Sequence, residues 1–383
     1  MLISKLPAVG TTIFTTMSAM AADCGAINLS QGFPDFSPPQ GLLDALHKAN
    51  SGNHQYPPMM GIAPLRTEIS NKIQTLYGAE VNPDTEITVT SGATEALFVA
   101  IQAVVQQGDE VIVFDPAYDA YDPAITLAGG KAVHINLAPD FTINWQTVAD
   151  AITARTKALV INTPHNPSAT VMTEADLATL EALTERHDLF VISDEVYEHM
   201  VFDGAQHQSV LRSPALRQRS FAVFSFGKTY HATGWKVGYV VACPELNKEF
   251  RKIHQYVTFT THSPSQYALA TFMAECPGHH ENLSQFYQQK RDLFTSLLED
   301  SNFILQRSGG TYFQVADYSA ISQQDDVTFC EYLTREIGVA AIPMSVFYQS
   351  APEQHLIRFC FAKDDATLRD AAAKLRQLEQ TNA

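Results

Sequence analysis

Between residues 86 and 242 the chain repeats one unit, a short β-branched apolar run followed by a stretch with helical spacing. The runs are Glu86–Thr90, Glu110–Asp115, Lys131–Leu137, Lys157–Asn162, Leu189–Ser193, Phe221–Phe226 and Val237–Ala242. Glu95–Val105 and Glu174–Arg186 are helical stretches between them. Runs without polar alternation, such as Leu159-Val160-Ile161, suit strands covered on both faces. Strands alternating with helices predict an α/β lobe built on a mostly parallel, seven-stranded sheet.

The C-terminal part has a different rhythm. Thr311–Ala316, Val339–Ile342 and Leu356–Phe361 read as strands of a smaller sheet, with a helix at Asp326–Glu336. A last helix, Ala366–Glu379, sets Leu368, Ala372, Leu375 and Leu378 on one face. This predicts a smaller α+β lobe. The N-terminal segment, rich in Gly, Pro and Ser around Ser30–Pro39, has too little apolar material for its own domain and is expected to lie across the others. The expected division is 49–282 for the large lobe, and 1–48 with 283–383 for the N-terminal segment and small lobe.

Composition narrows the partners. A chain of 383 residues, 45% hydrophobic and 17% charged, can fill two packed lobes. Its formal net charge of −16 repels polyanions, which argues against nucleic acid or an anionic membrane as a bulk partner. No run is apolar and long enough to span a bilayer, and Met1–Gly10 lacks a signal-peptide pattern. Cys24, Cys243, Cys276, Cys330 and Cys360 are scattered and form no CxxC pair, so buried free thiols in a reducing cytoplasm are expected. His279-His280 cannot easily share one metal and no HExxH occurs, so no metal is expected.

Open α/β sheets bind ligands beyond the carboxyl ends of their strands. There the sequence offers Ser91-Gly92-Ala93-Thr94 opening a helix, Tyr118, Asn166 in Thr163–Pro167, Asp194 with Tyr197, and Lys228. Each has a plainer reading. Ser91-Gly92 starts a helix, Asn166-Pro167 turns, Asp194 caps, Tyr118 packs at an interface, and Lys228 is solvated. Their coincidence at five strand ends carries more weight than any one of them. Gly227-Lys228-Thr229 resembles the tail of a phosphate-binding P-loop, but the first glycine of that motif falls on Ala222, inside an apolar run.

Ser225-Phe226-Gly227-Lys228-Thr229-Tyr230, followed by Thr233-Gly234-Trp235-Lys236-Val237-Gly238-Tyr239, resembles the cofactor-lysine signature of the class I/II, fold type I aminotransferases. Asn162–Pro167 and Ser193–Tyr197 resemble two further signatures of that family, in the right order. Ser30–Phe36 resembles the subgroup of methionine, kynurenine and glutamine transaminases. The likeness covers nearly the whole chain. One departure is Lys236, where most of the family has arginine; lysine gives the cofactor phosphate a point charge, not a bidentate grip.

The resemblance implies pyridoxal 5'-phosphate as cofactor, with its aldehyde on Lys228 and its ring nitrogen against Asp194. It implies ring-oxygen donors in Asn166 and Tyr197, and Tyr118 stacked on the ring. The phosphate would lie on the amides of Ala93 and Thr94 with Ser225, Lys236 and, from a second subunit, Tyr56, which makes a homodimer the expected unit. Arg358 would clamp the substrate carboxylate, assisted by Asn166 and the backbone of Gly32. Lys236 is expected to help keep the Lys228 amine neutral. Thr258–Gln266, where enzymes for dicarboxylic substrates commonly carry a second arginine, has none. A neutral side-chain pocket, lined by Phe14, Phe33 and Tyr56, and methionine, aromatic or similar donors are therefore expected. A carbon–sulfur β-lyase on the same fold would use the same residues. A cofactor-binding regulator would need a DNA-binding domain for which the resemblance leaves no room.

Overall fold

The computed structural model describes residues 3–378. Its large sheet has seven strands: β1 (Ile87–Thr90), β2 (Glu110–Asp115), β3 (Lys131–Asn136), β4 (Thr156–Asn162), β5 (Phe190–Asp194), β6 (Ser220–Ser225) and β7 (Gly238–Val241). Their spatial order is β1-β7-β6-β5-β4-β2-β3. Only β7 is antiparallel to its neighbours. From β2 the chain runs outward one way to β3 and the other way through β4, β5 and β6, so their carboxyl ends flank a crevice at the reversal.

The continuous apolar runs are buried on both sides, as their pattern predicts. Ile112, Leu159, Ile161, Val191 and Ala222 enter one apolar cluster, whereas Val111, Val113, Val160, Ile192 and Val223 enter another on the opposite face. Asp194 closes β5 from within the strand, and Phe226 leaves β6 to open a short helix, Phe226–Thr229. The helix Glu174–His187 starts at a Thr173/Asp176 capping box and stops at Asp188, whose φ is 50°.

The smaller sheet has β8 (Ile304–Leu305), β9 (Phe313–Asp317), β10 (Ile342–Pro343) and β11 (Leu356–Cys360), in the order β10-β11-β9-β8. The expected strand Val339–Ile342 is split: Val339–Ala340 pairs in parallel with Ile27–Asn28, and Ile342–Pro343 pairs with β11. Thr311 lies in a turn before β9 at φ 65°. The helix at Asp326 ends at Tyr332 and continues as a π-turn, Leu333–Ile337. The last helix is Asp365–Leu375, with Leu368, Ala372 and Leu375 buried; Glu379 lies outside the described residues.

The N-terminal segment does lie across the rest. Its helix Ile13–Cys24 buries Met17 and Met20 with the small-lobe core, and Leu29 joins them. The next helix, Gln40–Ala49, instead buries Leu42 and Ala45 with the large-sheet cluster. Among the described residues no helix is long and apolar enough to cross a membrane. No group of His, Cys, Asp and Glu among them is placed to hold a metal ion. All five cysteines are free, but Cys24 and Cys276 are exposed, contrary to the expected burial.

Candidate active site

A cavity of about 300 Å³ opens at the carboxyl ends of the central strands. It is lined by Ala93, Thr94, Tyr118, Asn166, Asp194, Tyr197, Ser225, Lys228, Lys236 and Arg358, with Gly32 and Phe14 from the N-terminal segment. Residues up to 344 positions apart in the chain thus meet in one space, Phe14 and Arg358 being the extremes (358 − 14).

One end of the cavity is built for an anion. The helix Ala93–Val104 begins after Gly92, which has φ 79° and no side chain to cap the first N–H groups. These donors face the cavity at the positive end of the helix dipole. A Cβ on Gly92 would come within 3.2 Å of Lys236 Nζ, so the missing side chain makes room for an ammonium over the helix start. A Cβ on Gly238 would lie 2.8 Å from the Ala93 nitrogen, so glycine also lets β7 approach the helix backbone. Lys236 itself is held in the left-handed region, with φ 53°.

Lys228 sits on the short helix after β6. Its Nζ lies 3.0 Å from the Gly32 carbonyl and 2.9 Å from the Tyr312 hydroxyl. Burial lowers its pKa to about 8, and Arg358 adds to the depression. The expected help from Lys236 is present but is the smallest of the contributions; desolvation dominates. Gly32 thus presents its carbonyl to the amine, and its N–H is the part of its backbone that could meet a carboxylate.

Asp194 is buried at the end of β5, where its Oδ2 accepts a hydrogen bond from the Tyr121 hydroxyl at 2.8 Å. Burial raises its pKa to about 6, and the Tyr121 hydrogen bond opposes the rise. Asn162 ties the neighbouring segments together: its Nδ2 donates to the Asp194 carbonyl at 2.8 Å and its Oδ1 accepts from the Asn166 N–H at 2.7 Å. Burial raises Tyr118 to about 12 and holds Tyr197 well above the ordinary phenol range, so both stay protonated.

Arg358 lies in the middle of β11, 1% exposed. Its guanidinium stands 3.8 Å over the Phe313 ring, with Phe347 and Phe14 at 5.3 and 5.5 Å. One nitrogen donates to Asn166 Oδ1 and another to the Ser30 carbonyl at 3.2 Å, while Nε has no partner. No carboxylate among the described residues forms an ion pair with it. Burial lowers its pKa to about 10, which leaves it charged at neutral pH. A buried cation without a counter-ion is costly, and an anionic ligand is the usual remedy.

One expected residue, Phe33, is not brought here, and Tyr56, expected from a second subunit, lies away from its own chain's cavity. Phe33 is 43% exposed; its ring lies under the Lys363 ammonium at 4.8 Å and does not line the cavity. Gly32 and Phe33 lie in a bend, so the position of Gly32 did not fix where the Phe33 ring points. Tyr56 is 85% exposed, edge-on to Phe259, in a surface groove of about 510 Å³ formed by residues 53–57 and 260–264. Tyr121, Asn162, Phe313 and Tyr312 were missed by sequence reasoning. Asn162 stands in the quoted Asn162–Pro167 signature, whereas the other three carry no local signal.

The fold and this constellation define a family. The model for class I and II aminotransferases matches residues 25–375, and the chain belongs to that family. It is an aminotransferase, and pyridoxal phosphate is the cofactor of its class. The chain is 53% identical over 377 residues to the methionine aminotransferase of Escherichia coli, covering 98% of each. It is 36% identical to human kynurenine–oxoglutarate transaminase 1, covering 94% of this chain and 93% of that one. A solved structure of YbdL from Escherichia coli, reported with a methionine aminotransferase function, superposes with a TM-score of 0.97 at 52% identity, covering 99% and 100% of the two chains. The residues fit a phosphorylated aldehyde: an uncapped helix start with an ammonium for the phosphate, a depressed lysine for the aldehyde, and a buried carboxylate at the end of the neighbouring strand β5.

Proposed function

We propose that this enzyme moves the amino group of a neutral L-amino acid, methionine or an aromatic one, to a 2-oxo acid in two half-reactions. The observation that carries the donor is the lining charge. Among the described residues, Lys228, Lys236 and Arg358 are the only lysines or arginines around the cavity, and the groove at Tyr56 and Thr260–Pro264 has none. With Lys228 and Lys236 committed to the cofactor, Arg358 alone remains for an α-carboxylate, and its surroundings are aromatic.

When bound, pyridoxal phosphate supplies an aldehyde for amine exchange and a ring that acidifies the donor's α-carbon. The N–H groups of Ala93 and Thr94, with Ser225 and Lys236, would hold its phosphate. Asp194, ionised above about pH 6, keeps a ring nitrogen protonated. Because Arg358 donates to Asn166 Oδ1, the Asn166 amide presents its NH2 as a donor, and Tyr197 supplies a second. Tyr118 covers the ring face. Lys228 Nζ, near neutral because it is desolvated, takes and returns the α-proton. Arg358 orients the donor through its carboxylate.

The unit is a homodimer in the cytoplasm, with Tyr56 reaching the phosphate site of the other subunit. The exposure of Tyr56 and Phe259 supports that pairing. The chain divides into a cofactor-binding lobe ending at 282 and a second unit formed by the N-terminal segment with 283–383. The cofactor-binding lobe begins at 49, and Leu42 and Ala45 just before it pack on the large-sheet cluster.

The direct test is the visible absorption of the purified, cofactor-loaded protein, before and after L-methionine without any 2-oxo acid. A band that shifts on addition and returns with a 2-oxo acid is expected. Aspartate or glutamate preferred over methionine by kcat/KM would sink the donor reading. No band after reconstitution would sink the cofactor reading.

A further inference from the structure

Phe14 and Tyr118 line a second cavity as well as the first. This outer chamber, of about 770 Å³, has the N-terminal segment from Leu6 to Thr16 on one side and Val346–Gln349 on another. Its charged lining is Asp115, Asp119, Asp122 and His134; no lysine or arginine reaches it. Asp115 and Asp122 share His134, at 2.7 and 3.1 Å, and Asp115 also accepts the Gln349 N–H at 2.8 Å. Asp119 has no ion-pair partner among the described residues. It adjoins Tyr118, and its charge acts on both Tyr118 and Arg358.

We propose that Asp119 is a specificity determinant, an exposed, unpaired carboxylate of the outer chamber next to Tyr118 that disfavours substrates with an anionic side chain. The inference rests on the reading of Arg358 as the α-carboxylate clamp. A donor held there finds open volume past Phe14 and Tyr118, so its side chain enters the outer chamber. A neutral side chain meets Phe14, Phe347 and the apolar segment around Ile13. A carboxylate there is desolvated, meets as its one cationic neighbour in the lining His134, whose pKa is raised to about 9 and which Asp115 and Asp122 already hold, and is repelled by Asp119. The exclusion of dicarboxylic donors is thus active as well as passive: a second arginine is missing and a repulsive charge is present.

The test compares cofactor-loaded wild type, Asp119→Asn and Asp119→Glu, with L-glutamate and L-methionine as donors and one common acceptor. The quantity read is the ratio of kcat/KM for glutamate to that for methionine. In Asp119→Asn the ratio rises by about fivefold at low salt, the size of one screened charge–charge term, and the gain shrinks in high salt. Asp119→Glu keeps the wild-type ratio. An Asp119→Asn ratio within error of wild type overturns the proposal, as does a gain that ignores salt or appears equally in Asp119→Glu. Should wild type fail to use methionine, the donor reading falls, and the same ratio taken against phenylalanine still decides the role of Asp119.

Discussion

At the scale of single residues, Lys228 is the position on which the chemistry turns. Its amine is desolvated and poised near 8. Lys228→Ala is expected to bind the cofactor without a covalent link and to lose roughly a thousandfold or more in turnover. Substantial residual transamination in that variant would remove the central assignment. Tyr121 is a subtler case. Its hydroxyl donates to Asp194 and lowers a pKa that burial has raised. Tyr121→Phe therefore pushes Asp194 above about 6, and the acidic limb of kcat/KM moves to higher pH. A limb that stays in place would detach Tyr121 from the titration. Lys228, Asp194, Asn166 and Arg358 were legible because each puts a chemically conspicuous group at a strand end or inside an apolar strand. Tyr121 and Tyr312 were not: their partners, Asp194 and Gly32, are 73 and 280 residues away.

At the scale of elements, the loop after β5 carries both Asp194 and Tyr197, and buried ion pairs fix it. Glu195 Oε1 accepts from Ser193 Oγ at 2.8 Å and from the Val210 N–H at 3.1 Å, and its other oxygen meets His207 at 2.8 Å. Glu198 is held by Lys72 and Tyr77 from the helix Ala63–Tyr77. Burial alone would raise Glu198, but Lys72 and His199 hold it well below the carboxylate range. Lys72→Met leaves that carboxylate buried with only Tyr77 and His199 against it, and should cost on the order of 3 kcal/mol in urea unfolding. Adding Glu198→Gln should recover much of the loss. A Lys72→Met midpoint equal to wild type would mean that the pair contributes nothing. The strands of the large sheet were legible because burial on both faces leaves an unbroken apolar run. The split at Val339–Pro343 was not, since one half pairs with Ile27–Asn28 and the other with β11, and an apolar run does not name its partner.

At the scale of the whole molecule, a net charge of −16 makes two copies repel, so a dimer has to be built on apolar contact. Among the exposed large apolar side chains, Tyr256 at 85%, Val257 at 48% and Phe259 at 41% lie together in sequence, and Tyr56 at 85% packs against Phe259; others, such as Val9, Ile304 and Val346, lie elsewhere. Exposed apolar surface of this kind marks an interface. The expected consequence is that Tyr56 serves the site of its partner, which separates two defects between two subunits. Lys228→Ala disables the site on its own chain, whereas Tyr56→Ala weakens the site across the interface. In a mixed dimer both defects fall on one site and the other is intact. Random pairing of equal amounts then yields about a quarter of the wild-type sites, since half the dimers are mixed and each keeps one site of two. Coexpression of the two variants, followed by activity per subunit and sedimentation of the mixture, reads this directly. Activity near a quarter of wild type, well above the average of the two parents, is the expected result. Activity equal to that average would place Tyr56 with its own chain's site, and a monomer in sedimentation would remove the shared site altogether.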